Sequence, residues 1–355
     1  MKALFYIRAN HEDQPGGDLV QLHKTAEALC AKGVKVEYSS DPKVDLDRYD
    51  LVHIFNSPRF SETKAFLENA LSQNRPTALS TIYWSKQELA VGIAKNPAVV
   101  LMRRVLGIAV TKYIWGAVKN LQARVSGGSN KVIEGWLFEN ADILLPNSEG
   151  EMQELLKNYP SATKNYKAVR NAIDGTAFAK NPSGTRKSYV LSVGRVERRK
   201  NTLMLIEACH NLSLDLVLIG AADSADDYTA KCLKKAIAYG FKHITNVSQD
   251  KLVPYYYEAE VHAMVSWYET PGLASMEAAC AGCKIVTTDR GSTKEYFKDM
   301  AEYCDPFSLK SIERSLTAAF TRNYTSELRD LILEQYTWGK TAEDTMAAYK
   351  ELLDS

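Results

Sequence analysis

Short apolar runs alternate with stretches of helical periodicity along this chain. Ala3–Ile7, Val34–Tyr38, Leu51–Phe55, Thr77–Thr81, Ile143–Leu145 and Ala168–Val169 read as strands. Between the first two, Gly16-Gly17-Asp18 opens a helix carried to Lys32, with Leu19, Leu22, Ala26 and Leu29 on one face and Gly33 at its end. A second helix is expected over Ser61–Gln73, before the break at Arg75-Pro76. The rhythm then repeats. Tyr189–Val193, Asp215–Ile219, His262–Val265 and Lys284–Thr287 are strand candidates, and Thr202–Cys209, Tyr228–Tyr239 and Leu273–Ala281 are helix candidates. Apolar strands alternating with helices imply parallel sheets covered on both faces. Two such sets predict two α/β domains divided near 170–187, with Asn181-Pro182-Ser183-Gly184-Thr185 as the linker-like stretch. Ligands of open parallel sheets lie beyond the carboxyl ends of strands, which singles out the loops after residues 7, 55, 81, 193, 219 and 265.

Composition narrows the field. A chain of 355 residues with 45% apolar content buries more than one core. A net charge of +1 gives no global attraction to nucleic acid. The six cysteines (Cys30, Cys209, Cys232, Cys280, Cys283, Cys304) are scattered, mostly in apolar runs, and read as buried thiols of a reducing compartment. Cys280 and Cys283 lack a partner pair for zinc. Arg8 interrupts the first apolar run before a signal-peptide core could form, and no apolar stretch is long enough to span a bilayer.

Two segments carry the chemistry. After the Tyr189–Val193 strand come Gly194, Arg195 and Lys200. An arginine fork and a mobile ammonium suit a diphosphate, and Gly194 permits close backbone approach. The alternative is a solvated basic loop, since Arg198 and Arg199 lie between them. The second segment, Glu269 to Glu277, contains Pro271, Gly272 and Leu273 at the start of a helix whose N-terminus suits an anion. Glu277 sits in an apolar helix and needs a partner or a ligand hydroxyl. If both are helical, Glu269 and Glu277 are turned by only ~80° and face one cleft. Gly16-Gly17 is a further backbone approach point, or simply a tight turn.

On these residues the chain resembles the glycosyltransferases of group 1 (family 4), which retain anomeric configuration. Asp142–Ser148, Val169–Asp174 with Phe178, Val193–Lys200 with Leu205–Ala208, Leu218–Gly220, Ser266–Gly282, and Asp305-Pro306 with Tyr336–Trp338 match its motifs in order. The resemblance implies a GT-B fold: two Rossmann-like α/β domains with parallel sheets facing across a cleft. Residues 1–170 would form the acceptor domain and 171–335 the donor domain, with 336–355 crossing back onto the first. It implies that Arg195 and Lys200 hold the diphosphate, Glu277 the ribose, and Glu269 with Pro271–Leu273 the donor sugar. Gly16 and Gly17 would face phosphate and acceptor. It further implies a nucleoside-diphosphate sugar donor, a saccharide or lipid-linked saccharide acceptor, and no cofactor or metal. Asp45-Leu46-Asp47 has the form of a metal motif but reads as a solvated turn. Thr81-Ile82-Tyr83 departs from the family's pattern by placing Tyr83 where a His is usual, and Thr270-Pro271 replaces Gly-Phe. Tyr83 is taken as a sugar or acceptor contact.

From Leu89 to Ile133 there are no acidic residues, and Arg103, Arg104, Lys112 and Lys119 recur through a helical pattern over Val99–Val125. Such a helix suits the anionic inner face of the cytoplasmic membrane, or is an ordinary domain helix with solvated charges. Competing readings are a nucleotide-sugar epimerase on the same scaffold and an inactive nucleotide-sugar-binding subunit. The expected setting is cytoplasmic, peripheral at the membrane, in surface polysaccharide or glycolipid synthesis.

Overall fold

The computed structural model describes residues 1–9, 17–55, 59–94, 96–126, 130–179, 186–245 and 247–354; the side chains of 18, 109 and 119–126 also fall outside this description. The chain divides into two compact units: Met1–Ala172 with Trp338–Ser355, and Ile173–Thr337.

The first unit is built from β1 (Lys2–Tyr6), α1 (Gly17–Ala31), β2 (Lys35–Ser39), β3 (Leu51–Phe55), α2 (Phe60–Ser72), β4 (Thr77–Ser80), α3 (Gln87–Ile93), α4 (Pro97–Ser126), α5 (Asn130–Asn140), β5 (Ile143–Leu145) and α6 (Glu149–Asn158), joined by α14 (Trp338–Asp354). Its sheet runs β2-β1-β3-β4-β5, parallel throughout. The β3 residues are buried on both faces, as parallel strands under helices must be. One of them is polar: His53 lies between Tyr349 Oη at 2.6 Å and Ser80 Oγ at 2.9 Å. Burial pushes its imidazole down to about 3, so it is neutral and ties α14 to the sheet. Ala168–Val169 is not a strand. Tyr166 makes a single bridge to Leu144, and Lys167 and Val169 donate to Leu144 and Pro146 carbonyls, so the segment runs alongside β5 without a ladder.

The second unit contains β6 (Lys187–Val193), α7 (Thr202–Asn211), β7 (Asp215–Ile219), α8 (Asp227–Ala238), β8 (Lys242–Ile244), α9 (Gln249–Glu258), β9 (Ala259–Met264), α10 (Leu273–Cys280), β10 (Lys284–Thr288), α11 (Thr293–Phe297), β11 (Glu302–Cys304), α12 (Leu309–Thr321) and α13 (Glu327–Gln335). Its parallel sheet, β11-β10-β9-β6-β7-β8, is Rossmann-like, with the strand order reversing between β6 and β9. Apolar clusters cover both faces, one under α9, α10 and α13, the other under α7, α8 and α12. The division falls after Ala172, two residues from the 170/171 boundary expected, and the linker-like stretch 181–185 lies outside the described residues. The physical reason is that Ile173 already pairs with Thr337 and donates to the Tyr336 carbonyl within the second unit.

Candidate functional site

The loops after β6 and β9 meet where the strand order reverses, the ligand-binding point of an open parallel sheet. They are locked by main-chain bonds. Gly194 N donates to Ile219 O at 2.8 Å and Val196 N to Ala221 O at 2.9 Å, which carries the β6–β7 pairing past the strand ends. Trp267 N donates to Arg199 O at 2.8 Å. Asn201, at φ 56°, turns the loop into α7, and its amide donates to Val265 O (3.2 Å) and Pro306 O (2.9 Å). Asparagine tolerates this left-handed conformation better than most residues.

On this frame the charges converge. Glu269 is 5% exposed, and its Oε1 accepts from Lys200 Nζ at 2.7 Å with Arg199 Nη1 at 3.4 Å. Burial acts to raise its carboxyl, but Lys200 and Arg199 outweigh it and hold it below the usual range. Lys200 is pulled below the ordinary lysine value, mainly by burial and despite Glu269. Arg195 has a side chain 65% exposed, with Glu197 Oε2 at 3.8 Å. Ser192–Val196, Lys200, Thr202, Leu218 and Met264 line a small hollow at this edge.

Gly272 caps the N-terminus of α10 at φ 97°, so Pro271 precedes the helix and Leu273 begins it. Glu269 therefore lies on a loop, and the single-helix argument for pairing it with Glu277 does not hold. Glu277 has other neighbours: Tyr256 Oη and Gln249 Nε2 donate to it at 2.9 Å each. Burial holds its carboxyl above the usual range, opposed by those two bonds. Beneath, His262 is buried in β9 with Nδ1 3.3 Å from Ser275 Oγ, and its ring is pushed down to about 3 by burial.

In the first unit, Gly17 is the first residue of α1 and nothing lies within 4 Å of a Cβ placed there; Gly16 lies outside the described residues. Tyr83 does not line an open wall. It is 7% exposed, and its ring packs edge-on against Phe138 and Tyr159, 5.7 Å from each, in the core under β3 and β4. An aromatic ring at this position gains more from that apolar trio than from solvent. The basic helix is also reorganised. Arg103 donates to the Gly92 carbonyl at 2.7 Å, and Lys112 pairs with Glu88 at 2.6 Å, so both are drawn onto α3. Cys30 is exposed, while the other five cysteines are buried and free.

Residues that sequence reasoning passed over complete the picture. Arg199, read as part of a solvated loop, is a counter-ion of Glu269. Gly220 and Gly291 allow backbones to touch: a Cβ on Gly220 would stand 2.2 Å from Gly194 O. Glu151, fully buried, accepts from Thr81 Oγ1 and, at 2.9 Å, from Tyr83 N, and so fixes the turn after β4. Its signal was the Ser148-x-x-Glu151 capping pattern at the start of α6.

Residues 174–332 match the family described as "Glycosyl transferases group 1". Among curated relatives, a Campylobacter jejuni N-acetylgalactosamine-N,N'-diacetylbacillosaminyl-diphospho-undecaprenol 4-alpha-N-acetylgalactosaminyltransferase is 28% identical over 64% of this chain and 59% of its own length. This chain thus spans about three-fifths of that relative. A D-inositol 3-phosphate glycosyltransferase of Arthrobacter is 23% identical over 99% of this chain and 95% of its own. Sucrose-phosphate synthase from Thermosynechococcus elongatus has a TM-score of 0.76 at 15% identity, covering 100% of this chain and 99% of that one. Anabaena HepE in complex with UDP has a TM-score of 0.69 at 13% identity, covering 99% and 100%. These likenesses show the fold, which is α/β of the GT-B type.

Proposed function

We propose, from the match of residues 174–332 to the group 1 glycosyl transferases, that this chain is such an enzyme and moves a sugar from a nucleoside-diphosphate donor to an acceptor hydroxyl, with retention of configuration and without a metal. The observation that carries the reading is the meeting of Lys200, Glu269 and the exposed Arg195 at the reversal point of the second sheet. Charge builds on the departing diphosphate in such a transfer. The cations Arg195 and Lys200 and the N-terminus of α10 stabilise it as it forms. Glu277 is the carboxylate for ribose hydroxyls, and Glu269, with the backbone of Pro271–Leu273, faces the sugar. The products are the glycosylated acceptor and the nucleoside diphosphate.

Thermal shift with UDP, GDP, ADP and dTDP sugars, followed by release of nucleoside diphosphate with and without saccharide acceptors, tests this. Stabilisation lost in Arg195→Ala and Lys200→Ala, with release that requires acceptor, is expected. Stabilisation surviving both substitutions would refute the site. Conversion of the donor sugar without acceptor would favour an epimerase, and binding without turnover an inactive subunit.

The acceptor side of the reading is a lipid-linked saccharide at an anionic membrane, in bacterial surface polysaccharide or glycolipid synthesis. Its support is α4, whose two helical segments meet at Gly107. With Arg103 and Lys112 engaged by α3, the outward face is apolar: Leu101, Val105, Val110, Tyr113 and Val118 are all exposed, beside the exposed Arg104. An apolar ridge with basic residues and no acidic ones suits insertion at the headgroup boundary. The Campylobacter relative's name carries a diphospho-undecaprenol-linked substrate. Sedimentation with phosphatidylglycerol vesicles is expected to recover the protein and to lose Leu101→Ser/Val105→Ser/Tyr113→Ser. Equal recovery of both would remove α4 from the reading.

A further inference from the structure

Three consecutive basic residues follow Glu197, and they point to different tasks. Arg198 lies over the Tyr228 ring at 4.9 Å. Arg199 and Lys200 both reach one oxygen of Glu269, at 3.4 and 2.7 Å. Arg199 is held from several sides. Its Nη1 donates to Tyr268 O at 3.3 Å, its Nη2 lies 3.2 Å from Glu197 Oε1, and its guanidinium sits 5.5 Å from the centre of the Tyr268 ring. Lys200 is held more simply, by Glu269 and by a 3.2 Å approach to Met264 Sδ, a weak acceptor.

We propose that Arg199 is a positioning residue: it is the standing counter-ion of Glu269, and its presence frees Lys200 to swing from Glu269 to the donor diphosphate. The inference rests on the donor-site reading above. A carboxylate as buried as Glu269 strongly resists losing its only cation. With Lys200 as sole partner, the ammonium would be trapped where it stands, and diphosphate binding would strand a buried charge. Arg199 removes that conflict. Its planar fork bonds carbonyl and carboxylates together and stays fixed, while the unbranched lysine stem can turn. A diphosphate then takes the 2.7 Å contact from Glu269, and Glu269 keeps its 3.4 Å neighbour.

Calorimetric binding of the nucleoside diphosphate that stabilises the wild type, chosen from UDP, GDP, ADP and dTDP, tests this in the full chain. Arg199→Gln is expected to weaken binding about tenfold and Arg199→Lys by no more than about threefold. Turnover at saturating donor should change far less than the donor KM in Arg199→Gln. The deciding variant is Arg199→Gln/Glu269→Gln. With the carboxylate neutralised, Lys200 is free again, and affinity should return to within about threefold of Glu269→Gln alone. This double variant also lacks the unpaired buried charge, so it stays readable if Arg199→Gln does not fold. A tenfold loss that persists in the double variant would mean that Arg199 touches the ligand or merely supports the loop, and would overturn the proposal. So would wild-type affinity in Arg199→Gln alongside a loss in Lys200→Ala. Undiminished binding by Lys200→Ala would instead overturn the donor-site reading itself.

Discussion

The backbone of Gly291 lies against that of Glu269 so closely that a Cβ on the glycine would stand 2.0 Å from the Glu269 carbonyl oxygen. The two residues form a parallel bridge, with Ser292 N donating to Glu269 O at 2.9 Å. Gly291 has φ 93°, a left-handed conformation that costs other residues about 1–2 kcal/mol even with space available. Gly291→Ala therefore has to move the backbone that carries Glu269. It should lose at least about 2 kcal/mol of stability and most donor affinity. Gly240→Ala is the control, at φ 75° with nothing within 4 Å of its Cβ, and should cost only about 1 kcal/mol with affinity unchanged. Denaturant melts and nucleotide binding read both. Equal effects from the two substitutions would count against contact as the cause.

Glu277 gives a pH signature. Burial raises its folded-state value above the ordinary 4.5, so between the two values the native state holds a proton that the unfolded chain has released. Stability contributed by this group is present at low pH and falls as pH rises through that window. Glu277→Gln removes the penalty. Relative to wild type it should melt higher at pH 8, with the difference narrowing towards pH 4, while nucleotide affinity drops. Scanning calorimetry at the two pH values decides, and a gap independent of pH would sink the assignment.

Glu151 anchors the turn after β4. Its carboxylate accepts from Thr81, Tyr83 and Asn147, and between the first two Ile82 is held at φ 42°, where a β-branched side chain is disfavoured. Glu151→Ala leaves those donors buried, at about 1–3 kcal/mol for each one unmet, and should lower stability by at least about 3 kcal/mol. Glu151→Gln keeps an acceptor and should lose less. Urea unfolding checks the order, and a neutral Glu151→Ala would show that the turn holds itself.

Much of the fold was legible because its strands are short, apolar and evenly spaced: β3, β5 and β7 fall where the pattern put them. What the pattern missed was weak in that signal. The edge strand β8 is Lys-His-Ile, and β11 has three residues. At the site, charge and glycine content marked Arg195, Lys200 and the start of α10, because cations and a helix terminus near strand ends already imply an anion. The same reasoning cannot see which cations are spent on each other. Arg199, Lys200 and Glu269 share one contact set across a separation that only the sheet closes. Tyr83 shows a related limit: alignment to a motif position gives the backbone's place, whereas Phe138 and Tyr159, far along the chain, decide where the ring goes.

The placement of α14 has a consequence for biosynthesis. Its residues Tyr349 and Glu343 bond to His53 and Lys32, and Thr341 donates to the Arg170 carbonyl, all within the first unit. A ribosome making this chain thus releases the intervening unit, residues 173–337, whole and in one continuous piece, while the unit begun earlier still lacks a helix of its core. The half that starts first is finished last, and until residues 338–355 emerge it presents the apolar surface that Ala342, Ala348, Tyr349 and Leu352 will cover.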